Sequence, residues 1–78
     1  MYNRHSRLVD DVVRSLSTAI LSGDLRPGDH LTVIPIAQEY GISQSTTREA
    51  LLMLEQRGLV STNPRRGAFV TRLSEIGR

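Results

Sequence analysis

Residues 42–59, ISQSTTREALLMLEQRGL, decide the fold. Ser43 can cap a helix start through its hydroxyl, the run from Gln44 to Arg57 contains neither Pro nor Gly, and Gly58 supplies a stop. The stretch therefore predicts a helix of about four turns. At roughly 100° per residue, Thr47, Ala50, Leu51 and Leu54 share one face with Ser43 above them, while Gln44, Ser45 and Arg48 fall on the other. An ordinary surface helix mixes Lys and Glu on its outward side. Here the first turn and a half carries short hydroxyls, an amide and a guanidinium, the groups that read base edges and phosphates.

Working back toward the N-terminus, IPIAQEYG at residues 34–41 reads as a shorter helix ended by Gly41, which can take the left-handed conformation and turn the chain into the longer helix. Thr32 can cap this shorter helix, Pro35 is tolerated in its first turn, and Ile36, Ala37 and Tyr40 are its inward positions. Two helices joined by about three residues including a Gly have the form of a helix-turn-helix. A plain helical hairpin has the same outline, so these two segments alone leave both readings open.

Further upstream, Val9, Val12, Val13, Leu16, Ala19 and Ile20 follow the i, i+3, i+4, i+7 rule, predicting a supporting helix from Arg7 to Ser22 with Ser6 as its cap, Asp10 and Asp11 in its first turns and Gly23 at its end. Residues 1–6 show no apolar periodicity and are expected to form a flexible arm; Arg4, His5 and the adjoining Arg7 could touch phosphates, though a terminal basic arm is more often merely solvated. GDLRPGDHL at residues 23–31 is turn chemistry: Pro27-Gly28 fits the centre of a type II turn, and Asp24 and Asp29 are turn formers. A very short extended piece follows at His30 to Thr32. No partner for His30 stands at ligand spacing, which excludes a metal site there.

Downstream of Gly58 the apolar period changes. Leu59 to Asn63 and Ala68 to Arg72 read as the arms of a β-hairpin with Pro64-Arg65-Arg66-Gly67 as its tip. A bare hairpin is marginal in water, so it must pack on the helices, and Phe69 is the expected anchor. The fold class is thus mainly α with a small β-hairpin: a winged helix-turn-helix of three helices plus wing, occupying residues 7–73. The first turns of the reading helix suit a major groove and the basic tip suits the neighbouring backbone or minor groove.

Composition agrees with this picture. A chain of 78 residues is one small domain, able to bury only about 60% of its unfolded surface and leaving little room for a catalytic cleft. There is no Cys, which excludes disulfides and thiolate metal sites. The only histidines are His5 and His30, and no carboxylate pair fits a cleft, so neither an enzyme nor a bound cofactor is expected. No apolar run approaches the ~18 residues of a membrane span, and the N-terminus lacks a signal-peptide core, so a cytoplasmic protein with no membrane partner is expected. Net charge is only +2, but its distribution is uneven. The acidic and basic residues of 1–31 cancel, whereas Arg48, Arg57, Arg65, Arg66 and Arg72 outweigh Glu49 and Glu55 in residues 44–72. Every basic side chain is Arg, whose rigid fork can grip a guanine edge or a phosphate with two bonds; a GC-rich coding bias gives the same composition.

Three blocks, AILSGDLRPGDHL (19–31), IAQEYGISQSTTREALLMLEQRGLV (36–60) and PRRGAFV (64–70), together resemble the N-terminal DNA-binding domain of the GntR family of bacterial transcription regulators, closest to its FadR-like branch. The resemblance spans about Leu16 to Leu73. It implies sequence-specific binding of double-stranded operator DNA by a regulator, most often a repressor, that dimerises and takes a small-molecule effector through a larger C-terminal domain. That domain is absent from this chain, and residues 74–78 are expected to begin the linker to it. Carried over by position, the resemblance places DNA contacts at Ser43, Gln44, Ser45, Thr46, Arg48, Arg66 and Gly67, with Arg48 the main guanine reader.

The residues themselves suggest phosphate contacts at Ser43, Thr46, Arg65 and the Thr32 hydroxyl, base reading by Arg48 and Gln44, and a close approach of backbone to DNA at Gly67. Several positions depart from the family. Gln44 stands where many relatives carry Arg; an amide favours adenine where Arg favours guanine, so one base preference is expected to differ. Thr46 and Thr47 replace a common Pro-Val pair, Thr47 pointing inward. Val33, Ile34 and Pro35 replace charged residues at the start of the second helix. Leu52 and Met53 are apolar on a face expected to be outward, which suits packing against another domain or subunit and equally incidental exposure. They are the sole support for the alternative reading, a winged-helix module for protein-protein contact.

Overall fold

The apolar stripe of the first helix sets the architecture. The computed structural model describes residues 4–72. Its elements are α1 (Arg4–Ser22), β1 (His30–Leu31), α2 (Val33–Tyr40), α3 (Gln44–Gln56), β2 (Val60–Asn63) and β3 (Gly67–Val70). Val9, Val12, Val13 and Leu16 of α1 are buried against Ala50, Leu51 and Leu54 of α3, and Val60, Ala68 and Val70 close the same core from the wing. Leu54, Val13, Val60, Val70 and Thr47 are all less than 2% exposed. Each fully buried aliphatic side chain among them contributes roughly 1.5–3 kcal/mol.

The first helix starts earlier than its periodicity indicates. Arg4, His5 and Ser6, read as arm, are helical. Ser6 is therefore inside α1 and not its cap, and Asp10 and Asp11 lie beyond the first turn. A tertiary contact accompanies the extension, His5 Nε2 to Glu49 Oε1 of α3 at 2.8 Å, which no periodicity within residues 1–22 reveals. The rest of the expected arm (residues 1–3), Leu73 and the expected linker (residues 74–78) lie outside the described residues.

The loop after α1 forms the expected turn: Gly28 has φ +90°, and Asp29 N–H donates to the Arg26 carbonyl at 2.9 Å. Gly28 N–H then donates to the Val70 carbonyl at 2.8 Å, and Val70 N–H to the Asp29 carbonyl at 2.9 Å. This docks His30 and Leu31 against the hairpin, so the wing is a three-stranded antiparallel sheet of order β1-β3-β2, with His30 opposite Phe69 and Leu31 opposite Ala68. A strand of two residues is too short to show alternation, which is why the sequence indicated only an extended piece.

Strand alternation also corrects the anchor of the hairpin. Ala68 and Val70 face the core. Phe69, between them, turns to the outer face, where its ring stacks on His30 with centroids 4.6 Å apart and planes 16° from parallel. Val60, Ala68 and Val70 hold the wing to the helices in its place.

In the helix-turn-helix, Gly41 adopts φ 66° and ψ 36°, and the Ile42 and Gly41 amides donate to the Ala37 and Gln38 carbonyls at 3.0 and 3.4 Å. Ile36 and Ala37 are buried, and the Tyr40 hydroxyl lies 2.9 Å from that of Ser15 on α1. Thr32 occupies the cap position of α2 in an extended conformation, but its hydroxyl makes no cap bond. The sequence predicted that cap, and the structure leaves the exposed hydroxyl turned elsewhere.

Candidate nucleic-acid interface

The outer face of α3 begins with a cap that determines which hydroxyls remain available. Ser43 Oγ accepts from Thr46 N–H at 3.0 Å and donates to Thr46 Oγ1 at 2.8 Å. Thr46 is only 5% exposed, and its hydroxyl is taken by this exchange. The expected phosphate contact at Thr46 is thereby replaced by a capping role, a consequence of its place at the third helical position. Thr47 is fully buried and donates to the Ser43 carbonyl at 3.0 Å, the polar core position that the helix geometry predicted.

Gln44, Ser45 and Arg48 are exposed on one side of α3. Arg48 Nη2 lies 3.4 Å from Gln44 Oε1, one turn earlier. The two carboxylates of α3 are already engaged: Glu49 with His5, and Glu55 by the Thr62 hydroxyl, which donates to its Oε2 at 2.6 Å. Their hydrogen-bond partners lie on α1 and β2. The second bond also ties β2 to α3 and fixes the wing relative to the reading helix.

The wing tip is organised by Asn63, which the sequence reading took only as the end of a strand. Its side-chain oxygen accepts from Arg65 and Arg66 N–H at 2.9 and 3.2 Å, and its carbonyl accepts from Arg66 N–H at 3.1 Å. The Asn-Pro pair was the signal available, since Asn bonds backbone groups two and three residues on and Pro presets the next φ. Arg65 and Arg66 are exposed on the tip that results. Gly67 has φ +97°, and a Cβ there would lie 2.9 Å from His30 Nε2. The positive φ, with this neighbour adding to it, already favours glycine for reasons internal to the chain.

Reading helix and wing enclose one groove of about 450 Å³, with Arg48, Leu52 and Glu55 on one wall and Thr62, Pro64 and Gly67 on the other. The structure so brings Arg48 and Gly67 together, with Gln44 beside Arg48. Arg66 lines a separate depression on the outer face of the sheet, and Thr32 stands at the start of α2. Leu52 is 53% exposed, as expected of it. Met53 is not outward: it is partly buried and packed on the core, beside His5 and Val9 of α1. Among the described residues no cluster of His, Cys, Asp or Glu could hold a metal ion, and no helix is long and apolar enough to cross a membrane.

The profile of the bacterial regulatory proteins of the gntR family matches residues 8–70. An uncharacterized HTH-type transcriptional regulator of Mycobacterium tuberculosis is 43% identical over 63 residues, covering 81% of this chain and 26% of that protein. The chain thus spans about a quarter of the length of this relative. A GntR-type regulator from Rhodococcus sp. RHA1 superposes with a TM-score of 0.80 at 32% identity over 88% of this chain and 34% of its own. The AraR DNA-binding domain, in a crystal structure with operator ORR3, superposes with a TM-score of 0.76 at 28% identity, covering 82% of this chain and 78% of that one. On the extent of the family match and this shared winged fold, the chain belongs to the gntR family of bacterial regulatory proteins.

Proposed function

We propose that this chain is the operator-reading domain of a transcription regulator, with residues 43–57 in the major groove and residues 64–67 in the minor groove of double-stranded DNA. The observation that carries the reading is the shared groove: Arg48 from the reading helix and Gly67 from the wing face one space, and Gln44 and Ser45 are exposed on the Arg48 side. A DNA strand separating the two grooves passes between such walls. Arg48 and Gln44 read base edges; Ser45, the backbone amides of the α3 N-terminus at Ser43, the Thr32 hydroxyl and Arg65 hold phosphates; Arg66 and Gly67 enter the minor groove. The operator-bound AraR domain, of similar fold, supports the assignment.

The assembly we infer is a homodimeric repressor of the FadR-like branch, cytoplasmic, with dimerisation and effector binding in a further domain. Its basis is the linked set of sequence motifs, and DNA reading, not catalysis, is its activity. Retention of random duplexes at two salt concentrations, followed by sequencing, tests the DNA reading. Enrichment of a short motif, with affinity falling as salt rises, is expected. Retention without enrichment overturns base reading by this domain, and no retention overturns the DNA assignment in favour of a protein-contact module using Leu52.

A further inference from the structure

The outer face of the wing sheet, turned away from the core, carries a second constructed surface. Phe69 has one ring face against His30. Beside Phe69 lies a depression of about 380 Å³, lined also by Arg66, Arg72, Ser61, Asn63 and Gly28. No acidic residue is among its described lining residues. Two glycines shape the surface. At Gly28 a Cβ would come within 2.9 Å of Arg72 Nη2, and at Gly67 within 2.9 Å of His30 Nε2. The Arg72 guanidinium thus lies over backbone bared of a side chain, and the His30 ring reaches its stack across another such site.

We infer that this depression binds a nucleotide unit, with Arg72 and Arg66 holding the phosphate and the Phe69 ring, backed by His30, taking the flat base. The chemistry follows from the set. Two guanidiniums with no opposing carboxylate on the lining suit a phosphate, and an aromatic ring on a sheet surface between them suits a base, as on other sheet platforms that stack unpaired bases. Ser61, exposed on β2 opposite Phe69, adds a hydroxyl to the lining. The site adjoins the groove containing Arg48, with Thr62 and Asn63 lining both, but Arg72 and Phe69 line only this depression, so its test does not depend on the operator reading; Arg66 has a role in both readings.

The shared chemistry has two sources, a free mononucleotide or one unit of an unpaired DNA strand. The test is titration of the 78-residue chain, followed by amide NMR, with adenosine 5′-monophosphate, with a short oligothymidylate, and with inorganic phosphate and adenosine as single-feature probes. Saturable shifts at Gly28, Ser61 and Phe69 are expected with a nucleotide probe, and about tenfold weaker binding in both Arg72→Gln and Phe69→Leu, the size of one lost charge contact or stacked ring. Phe69→Leu keeps apolar volume, and an unchanged amide spectrum elsewhere confirms its fold. Shifts confined to the monophosphate identify a free nucleotide as ligand; tighter binding of the oligothymidylate identifies a strand. Equal binding of inorganic phosphate, or no saturable shift with either nucleotide probe, overturns the proposal, as do shifts that survive both substitutions. No duplex is present, so failure here leaves the operator selection experiment untouched.

Discussion

Arg48 Nη2 lies 3.4 Å from the side-chain carbonyl of Gln44 on the exposed face of α3, so the two base-reading candidates form one unit. The contact is long and solvent-exposed, hence readily exchanged for a base edge. It also turns the amide oxygen toward the guanidinium and leaves the Gln44 NH2 group as the free donor.

Arg48→Ala is expected to lose about 1–3 kcal/mol of operator affinity and to relax preference at one base pair. Arg48→Lys should recover part of the affinity and little of the preference, because a point charge cannot form the two-bond fork on guanine. Gln44→Arg should shift one position of the selected motif from adenine toward guanine. Sequencing of retained duplexes checks all three, and an Arg48→Ala variant that enriches the parent motif equally well would remove Arg48 from the reading set.

The two helix caps should behave differently. Ser43→Ala is expected to destabilise the domain by about 0.5–2 kcal/mol, since it frees the Thr46 amide and leaves the largely buried Thr46 hydroxyl without its donor. Thr32→Ala removes no cap bond and should change stability by less than about 0.5 kcal/mol. Urea unfolding of both variants measures the contrast; equal losses would mean that Thr32 caps α2 in solution.

At Gly67 the backbone and the neighbour act together. Gly67→Ala places a Cβ on a residue with φ +97° and 2.9 Å from His30 Nε2. The left-handed backbone alone costs about 1–2 kcal/mol. A double-mutant cycle with His30→Ala should recover only the smaller steric share, by about 0.5 kcal/mol. Full recovery in the double variant would show that crowding by the imidazole, and not φ, requires the glycine.

Asn63 is expected to act on affinity through the shape of the wing. Asn63→Ala removes the acceptor of two tip amides, for a loss of about 1 kcal/mol in stability, with weaker DNA binding and an unchanged motif opposite Arg48. Asn63→Asp keeps the acceptor and should retain most of the stability. A motif altered by Asn63→Ala would assign Asn63 a base contact.

Much of the fold was legible because it rests on local chemistry. The stripe of α1, the Ser43 cap, the left-handed Gly41 and the Pro27-Gly28 turn each depend on residues within a few positions of one another. The exposed set Gln44, Ser45 and Arg48 followed from helical periodicity alone. Thr46 was chosen for its hydroxyl and by resemblance, neither of which reveals that the side chain is buried and joined to the Ser43 cap. Met53 was misplaced because α1 extends far enough to cover it.

By itself, then, the sequence determined where helices begin and end within the helix-turn-helix, the two arms of the hairpin, and the polar outer face of α3, since propensity, capping and periodicity are short-range. Only the tertiary structure decided that His30–Leu31 becomes a third strand, that Phe69 turns outward onto His30, that His5 of the extended α1 meets Glu49, and that Arg48 and Gly67 share a groove. Each of these joins residues at least 19 positions apart in the chain, and such pairings are set by strand register and by how the core closes, for which no local pattern in the chain provides a signal.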